Sequence, residues 1–275
     1  MLGVHCSISG GYQNAFIEAQ RLGIQTFQIF TKNQRQWAEK TITIEDAKIF
    51  RKDLKDFAIK KAFSHCTYLI NLASADESIR KQSVLSLAAE VRRCDTLGLA
   101  YAVMHPGSCK DITEKEAIQR IIDGLNIVIE ATADCKTKIL LENTAGQGSS
   151  IGWKLEHLQS ILKETGKNRT AVCIDTCHAF AAGYDISNEK GIEDFFNQVE
   201  KTIKVKTIKA FHFNDSKGAL GSRIDRHENI GKGKIGLVPF KYIQQNFPDI
   251  PKVLETPKEG DMDWINLELL RKLVG

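Results

Sequence analysis

Residues 171–178 read AVCIDTCH: a short apolar run, a carboxylate at Asp175 where the run ends, and an imidazole at His178 as the chain turns into AFAAGY. An apolar run of this length, bounded by polar residues, has the pattern of a strand buried on both faces. The same phrase recurs along the chain. His65 lies in AFSHC (62–66), His105 closes YAVMH (101–105) and Glu142 closes KILLE (138–142). His212 lies in AFHF (210–213) and Glu255 closes KVLE (252–255). Metal-binding side chains at the same end of successive strands converge on one mouth of a barrel.

Eight strands are expected: Leu2–Ser7, Thr26–Phe30, Ala62–Cys66, Ala102–His105, Lys138–Glu142, Ala171–Asp175, Lys209–Phe213 and Lys252–Glu255. Their starts lie between 24 residues (Leu2 to Thr26) and 43 residues (Lys209 to Lys252) apart, which leaves room for a helix in each interval. Helical patterns are read at Tyr12–Leu22, Ile44–Phe57, Ile79–Leu97, Glu114–Asp134, Leu155–Thr165, Ile192–Val205 and Val238–Gln245. The expected fold is an α/β (β/α)8 TIM barrel spanning residues 1–275 as one domain. An open doubly wound sheet would need no even eight, and would place its ligand at one switch point rather than around a rim. The least regular stretches are Thr31–Thr43, Ala145–Gly152 and Asp215–Gly236, each following a strand and so expected on the catalytic face.

The 275 residues suit one such barrel, and 42% apolar with 26% charged residues is an ordinary globular balance that argues against disorder. The formal charge of +4 is mildly basic and points only weakly to a polyanionic partner. The N-terminus MLGVHCSISGG lacks the basic and apolar regions of a signal peptide, and no apolar stretch approaches the ~20 residues needed to span a bilayer. The seven cysteines are odd in number and form no CxxC pair. A reduced, cytoplasmic protein without a membrane association is expected.

A lone histidine is usually a satisfied polar residue. That reading weakens where His65, His105, His178, His212 and His227 all fall at or just past strand ends, alongside three carboxylates in the same register. His157, inside KLEHLQSIL, fits the ordinary reading, whereas His5 on the first strand is ambiguous between lining the mouth and facing a substrate. In Asp225-Arg226-His227, residues two apart in an extended loop point to the same side, so Asp225 and His227 can hold one ion with Arg226 directed elsewhere. Nine ligand candidates result: His65, His105, Glu142, Asp175, His178, His212, Asp225, His227 and Glu255. One zinc with an open position needs about three protein ligands, so nine imply more than one ion, and three if a carboxylate bridges. A His/carboxylate set favours Zn2+ or Mn2+; Cys173 and Cys177 are the poorer alternatives as ligands. Several divalent cations in one site suit phosphoryl chemistry.

These motifs resemble the endonuclease IV family of apurinic/apyrimidinic (AP) endonucleases nearly end to end. The resemblance rests on FTKNQRQW (Phe30–Trp37), HCTYLINLAS (His65–Ser74), MHPGS (Met104–Ser108) and LLENTAGQG (Leu140–Gly148). CIDTCHAFAAGYD (Cys173–Asp185), FHFNDSKGALGSRIDRHENIGKGKIG (Phe211–Gly236) and LETP (Leu254–Pro257) extend it. It implies a TIM barrel with three zinc ions, Mn2+ being allowed in part. His65 and His105 would hold the first zinc, with Glu142 bridging to the second and orienting the attacking hydroxide. Asp175, His212 and Glu255 would complete the second site, and His178, Asp225 and His227 the third.

The resemblance further implies cleavage of double-stranded DNA 5′ to abasic sites, leaving a 3′-hydroxyl and a 5′-deoxyribose phosphate, with trimming of blocked 3′ ends. Arg35, Tyr68 and Leu69 would fill the stack vacated by the flipped nucleotide. Lys217, Arg223 and Arg226, with Lys32, Lys232 and Lys234, are candidates to neutralise phosphates. A monomer is expected for a barrel that must embrace a duplex. The competing function is a sugar isomerase or epimerase on a similar barrel, which would need fewer ligands and neither the Asp225-Arg226-His227 triplet nor the KNQRQW loop.

Overall fold

In the computed structural model, which describes residues 1–166 and 168–275, eight parallel strands close on themselves. They are β1 (Leu2–His5), β2 (Thr26–Ile29), β3 (Lys61–His65), β4 (Tyr101–Met104), β5 (Lys138–Glu142), β6 (Thr170–Asp175), β7 (Ile208–His212) and β8 (Lys252–Leu254). Each pairs with its chain neighbours, and β8 returns to β1 with Val253 opposite Gly3. All eight expected strands are present, within a residue or two at their ends.

Alternation along these strands builds the site. Side chains two apart share a face. One set, including Val4, Phe27, Ile29, Ala102, Met104, Ile139, Leu141, Val172 and Ile174, packs outward against the helices. The other set points into the barrel, where Phe63, Val103, Leu140, Ala171, Cys173, Ala210 and Val253 form a separate buried cluster. Two residues beyond Phe63, Val103, Leu140, Cys173, Ala210 and Val253 stand His65, His105, Glu142, Asp175, His212 and Glu255. Six of the ligand candidates are therefore the top layer of the barrel interior, held by an apolar layer directly beneath. Between β6 and β7 the register slips: Val172 pairs with Ile208 but Cys173 with Ala210. The extra residue brings His212 level with Asp175, a use of a bulge to aim a side chain.

The helices are α1 (Gln13–Leu22), α2 (Ile44–Asp56), α3 (Glu77–Leu97), α4 (Glu114–Ala131), α5 (Leu155–Glu164), α6 (Thr176–Ala182), α7 (Glu189–Thr202), α8 (Val238–Asn246) and α9 (Met262–Lys272). Capping moves several starts from those expected. Asp76 accepts from the Ser78 and Ile79 amides, so α3 begins before Ile79. Asn188 accepts from the Gly191 amide and starts α7 ahead of Ile192. Two helices were not anticipated: α6, seven residues long and begun by the Asp175 side chain itself, and α9, which closes the barrel behind β8. Two loops expected to be irregular each contribute to a short antiparallel pair, Gly107–Ser108 with Ser150–Ile151 and Asp215–Ser216 with His227–Glu228. Among the described residues no helix is long and apolar enough to cross a membrane, and no two cysteines are joined.

Candidate metal centre

The nine side chains meet at the C-terminal mouth. Three groups bring ligand atoms within 4.8 Å of one another: His65, His105 and Glu142; Glu142, Asp175, His212 and Glu255; and His178, Asp225 and His227. Glu142 belongs to two of them through different oxygens. Its Oε2 lies 3.1 Å from His65 Nε2 and 3.4 Å from His105 Nε2. Its Oε1 lies 2.9 Å from His212 Nδ1, which is itself 3.2 Å from Glu255 Oε2. In the third group, His178 Nε2 and His227 Nε2 lie 3.2 and 3.4 Å from the two Asp225 oxygens. Ligands bonded at 2.0–2.1 Å in a tetrahedron are separated by about 3.3–3.4 Å, so these spacings match donors arranged around a small cation.

Hydrogen bonds at the back of four of the five rings settle which nitrogen is free. His65 Nδ1 faces the Cys66 carbonyl (2.7 Å), His178 Nδ1 the Asn143 carbonyl (2.9 Å) and His227 Nδ1 the Glu255 carbonyl (3.2 Å). A carbonyl only accepts, so each Nδ1 carries the proton and each Nε2 presents a lone pair to the centre. His212 is reversed: Nε2 donates to Gln28 Oε1 (2.8 Å), leaving Nδ1 for the centre. His178 Nε2 and His227 Nε2 are buried without a hydrogen-bond partner, since Asp225 is close but not aligned. Buried orphan lone pairs aimed at one point are what a cation would satisfy, and the donor set fits zinc or manganese.

The electrostatics also suit cations. Glu142, Asp175 and His212 are fully buried. Burial alone would raise Glu142, but His212 and His105 outweigh it and hold the carboxyl well below its usual range. Burial likewise opposes the lowering of Glu255, which His212 and His5 nevertheless achieve. Asp225 falls to about 2 against its own burial, through His178 and His227. Burial disfavours charge on the rings, yet His178 is raised well above its ordinary value by Asp175, Asp225 and Glu142. His212 is raised by Cys173, Glu255 and Glu142, and His65 by Glu142 and Glu255. The carboxylates hold positive charge at this spot, protons standing in for cations. Cys177 also approaches Asp175 and His227, but burial pushes its thiol up to about 12, which makes it a poor ligand beside His178.

Behind the nine lies a set of amides that the sequence reading passed over. The Gln28 amide donates to Glu255 Oε1 (2.6 Å) and to His5 Nδ1 (3.0 Å) while accepting from His212. Asn214 donates to Asp175 Oδ2 (2.6 Å) and accepts from the Glu255 amide (2.8 Å). Asn143 brackets Asp175 at its backbone N–H and carbonyl. Such partners fix ligand orientation. The signal for Gln28 was its parity: Thr26 and Gln28 share the inward face of β2, where a polar residue calls for a partner. His5, ambiguous in the sequence, is one shell removed; burial lowers it, and its neutral Nδ1 accepts from Gln28. His157 is a buried structural residue that accepts from the Gly152 amide (3.2 Å).

The DNA-contact candidates are only partly brought together. Tyr68 is 60% exposed, its ring 5.4 Å from that of His65 and 6.1 Å from that of His105. It borders a cavity of about 270 Å3 lined also by Asn71, His105, Ala145, Gln147 and Asp225. Leu69 is half-buried, whereas Arg35, Lys217, Arg223 and Arg226 are exposed. Arg223 stacks on Trp153, 4.1 Å from the ring centroid, and Arg226 Nη1 donates to the Asp225 carbonyl (2.8 Å). Lys32 is corrected: its side chain is 4% exposed, donates to the Trp37 carbonyl and the Ser86 hydroxyl, and lies 3.5 Å from Glu39. Its ammonium holds the loop together and is not presented to a phosphate.

A closed parallel barrel with imidazoles and carboxylates gathered at its C-terminal mouth defines the class as a TIM barrel with clustered metal-ligand residues. Residues 16–273 match the family model described as xylose isomerase-like TIM barrel. The chain is 41% identical over 279 residues to the probable endonuclease 4 of Citrifermentans bemidjiense, covering 100% of this chain and 99% of that one. It is similar to the solved endonuclease IV from Thermus thermophilus, with a TM-score of 0.88 and 31% identity, covering 99% of this chain and 98% of the other. A D-tagatose 3-epimerase-like protein has a TM-score of 0.77 at 19% identity, covering 99% and 96%, a likeness of fold alone. The chain belongs to the endonuclease IV family; it is an AP endonuclease, a hydrolase of DNA repair.

Proposed function

We propose that this chain hydrolyses the phosphodiester 5′ to an abasic site in double-stranded DNA, leaving a 3′-hydroxyl and a 5′-deoxyribose phosphate, and that it also trims blocked 3′ ends. The reaction would depend on three divalent cations, zinc with manganese replacing it in part. The single observation that carries the reading is the grouping of nine donors in which Glu142 turns one oxygen to each of two groups. His65 and His105 would hold the first cation, Asp175, His212 and Glu255 the second, and His178, Asp225 and His227 the third. Cations bound there would supply Lewis acidity and a water acidified towards neutral pH.

The chain's own residues do the rest. Glu142 orients the attacking water, because it sits between two groups with both oxygens directed into the mouth. The cavity of about 270 Å3 beside His105 would receive the flipped sugar without its base. Tyr68 and Leu69, with Arg35 on the adjoining loop, fill the space left in the stack. Lys217, Arg223 and Arg226 meet the phosphates, so binding weakens with salt. A duplex with one abasic analogue, incubated with protein before and after prolonged chelation, tests this. Incision that disappears on chelation and returns with zinc is expected; full incision by verified metal-free protein would overturn it.

A further inference from the structure

The nine donors do not stand on equal foundations. Six of them end barrel strands or stand one residue past, and His178 follows on α6. Asp225 and His227 instead hang on the stretch 213–237 between β7 and α8. Among the described residues its only ladder is the pair Asp215–Ser216 and His227–Glu228. That stretch is fastened elsewhere. Gln147 Oε1 accepts from the Asp225 amide (2.9 Å). The Arg223 guanidinium lies on the face of Trp153, whose ring also has Lys154 Nζ 4.6 Å from its centroid. Two backbone bonds, Gly221 N to Phe180 O (3.1 Å) and Arg223 N to Ala181 O (2.9 Å), dock the stretch on the last turn of α6.

Two backbone conformations suggest that the stack is built rather than incidental. Arg223 has φ 54°, a left-handed conformation that disfavours side chains other than glycine. Trp153 packs so closely on Gly146 (φ 79°) that a Cβ there would come within 3.1 Å of the ring. The segment 144–153 thus carries both the platform for Arg223 and the acceptor for Asp225.

We propose that the Trp153–Arg223 stack and Gln147 act as positioning residues that hold Asp225 and His227 in place, and so set the affinity of the His178–Asp225–His227 group for its divalent cation. This rests on the metal reading above. Ordering a long loop costs conformational entropy, and a loop already ordered does not charge that cost to cation binding. A guanidinium that served only to meet a phosphate would leave cation binding unchanged in the absence of DNA.

The test titrates zinc into the full chain, without DNA, against a chromogenic chelator. The parent is compared with Trp153→Ala, Gln147→Ala and Arg223→Gly. Glycine relieves the left-handed backbone, so a loss in that variant comes from the missing stack. One of three equivalents is expected to be held about ten- to hundred-fold more weakly. The other two should be unchanged, and Trp153→Phe should recover most of the loss. Variants that titrate like the parent, or that lose all equivalents together, would overturn the proposal. A parent holding fewer than three equivalents defeats the metal reading instead, and this inference with it.

Discussion

Glu142 turns its two carboxylate oxygens to two different ligand groups, and it does so fully buried among imidazoles. Glu142→Gln keeps the shape and one oxygen but removes the charge. It is expected to retain much of the DNA binding and to lose incision by roughly three orders of magnitude or more, as removal of a group used in the transition state does. Single-turnover incision by that variant at the parent's rate would contradict its role. Gln28 acts at one remove, and Gln28→Leu leaves His212 and Glu255 without their shared partner. Zinc affinity is expected to fall about ten- to hundred-fold while the barrel still folds, which competition with a chelator and circular dichroism together would check. Six of the nine donors were legible because strand parity and strand ends put them in register, and His178, Asp225 and His227 because each lies in a short motif with a neighbouring carboxylate. Gln28 was not, because one polar residue in a strand becomes meaningful only when its partners, Glu255 and His212, are known to face it.

At the scale of elements, the loop Thr31–Thr43 is clamped from behind by α3. Arg93 Nη1 donates to the Lys40 carbonyl (2.6 Å) and Nε to the Thr31 hydroxyl (3.0 Å), while Glu90 accepts from Thr31 and Ser64 (both 2.7 Å). Arg93→Met strips the Lys40 carbonyl and the buried Thr31 carbonyl of their donor, at about 1–3 kcal/mol for a buried group left unsatisfied. Arg35 rides on this loop, so the expected kinetic effect is a raised KM for duplex substrate with kcat less affected; the reverse pattern would count against the clamp. On the adjoining loop, where the Thr67 hydroxyl donates to the Gln34 carbonyl, Tyr68→Ala with Leu69→Ala should weaken binding most on duplexes that must bend, and an unchanged response on such duplexes would remove the wedge assignment. Neither the clamp nor α6 could be read from sequence. Arg93 pairs with residues more than 50 positions away, and seven residues are too few to display a helical period. Helix α9 was hidden for another reason: Asp263 and Asn266 are buried on its inner face beside Leu267 and Leu270, so its apolar stripe is broken.

For the molecule as a whole, the buried histidines and carboxylates at the mouth give a dependence on pH. His65, His178 and His212 have folded-state values raised above about 6.5, the usual unfolded value. Protons bound there stabilise the metal-free fold below that value, and the stabilisation is lost as pH rises through the raised values. Metal-free protein is therefore expected to melt at progressively lower temperature as pH rises above neutrality. Zinc-loaded protein should change less, because cations replace those protons and binding releases them. Calorimetry of both forms across that range checks it; parallel curves would argue against the histidines as the proton sites. The most direct measurement of the central claim is anomalous scattering from crystals grown with zinc. Three peaks in the barrel mouth, among the nine side chains and with Glu142 between two of them, are the expected result. Peaks elsewhere on the surface, or none between those imidazoles and carboxylates, would contradict it.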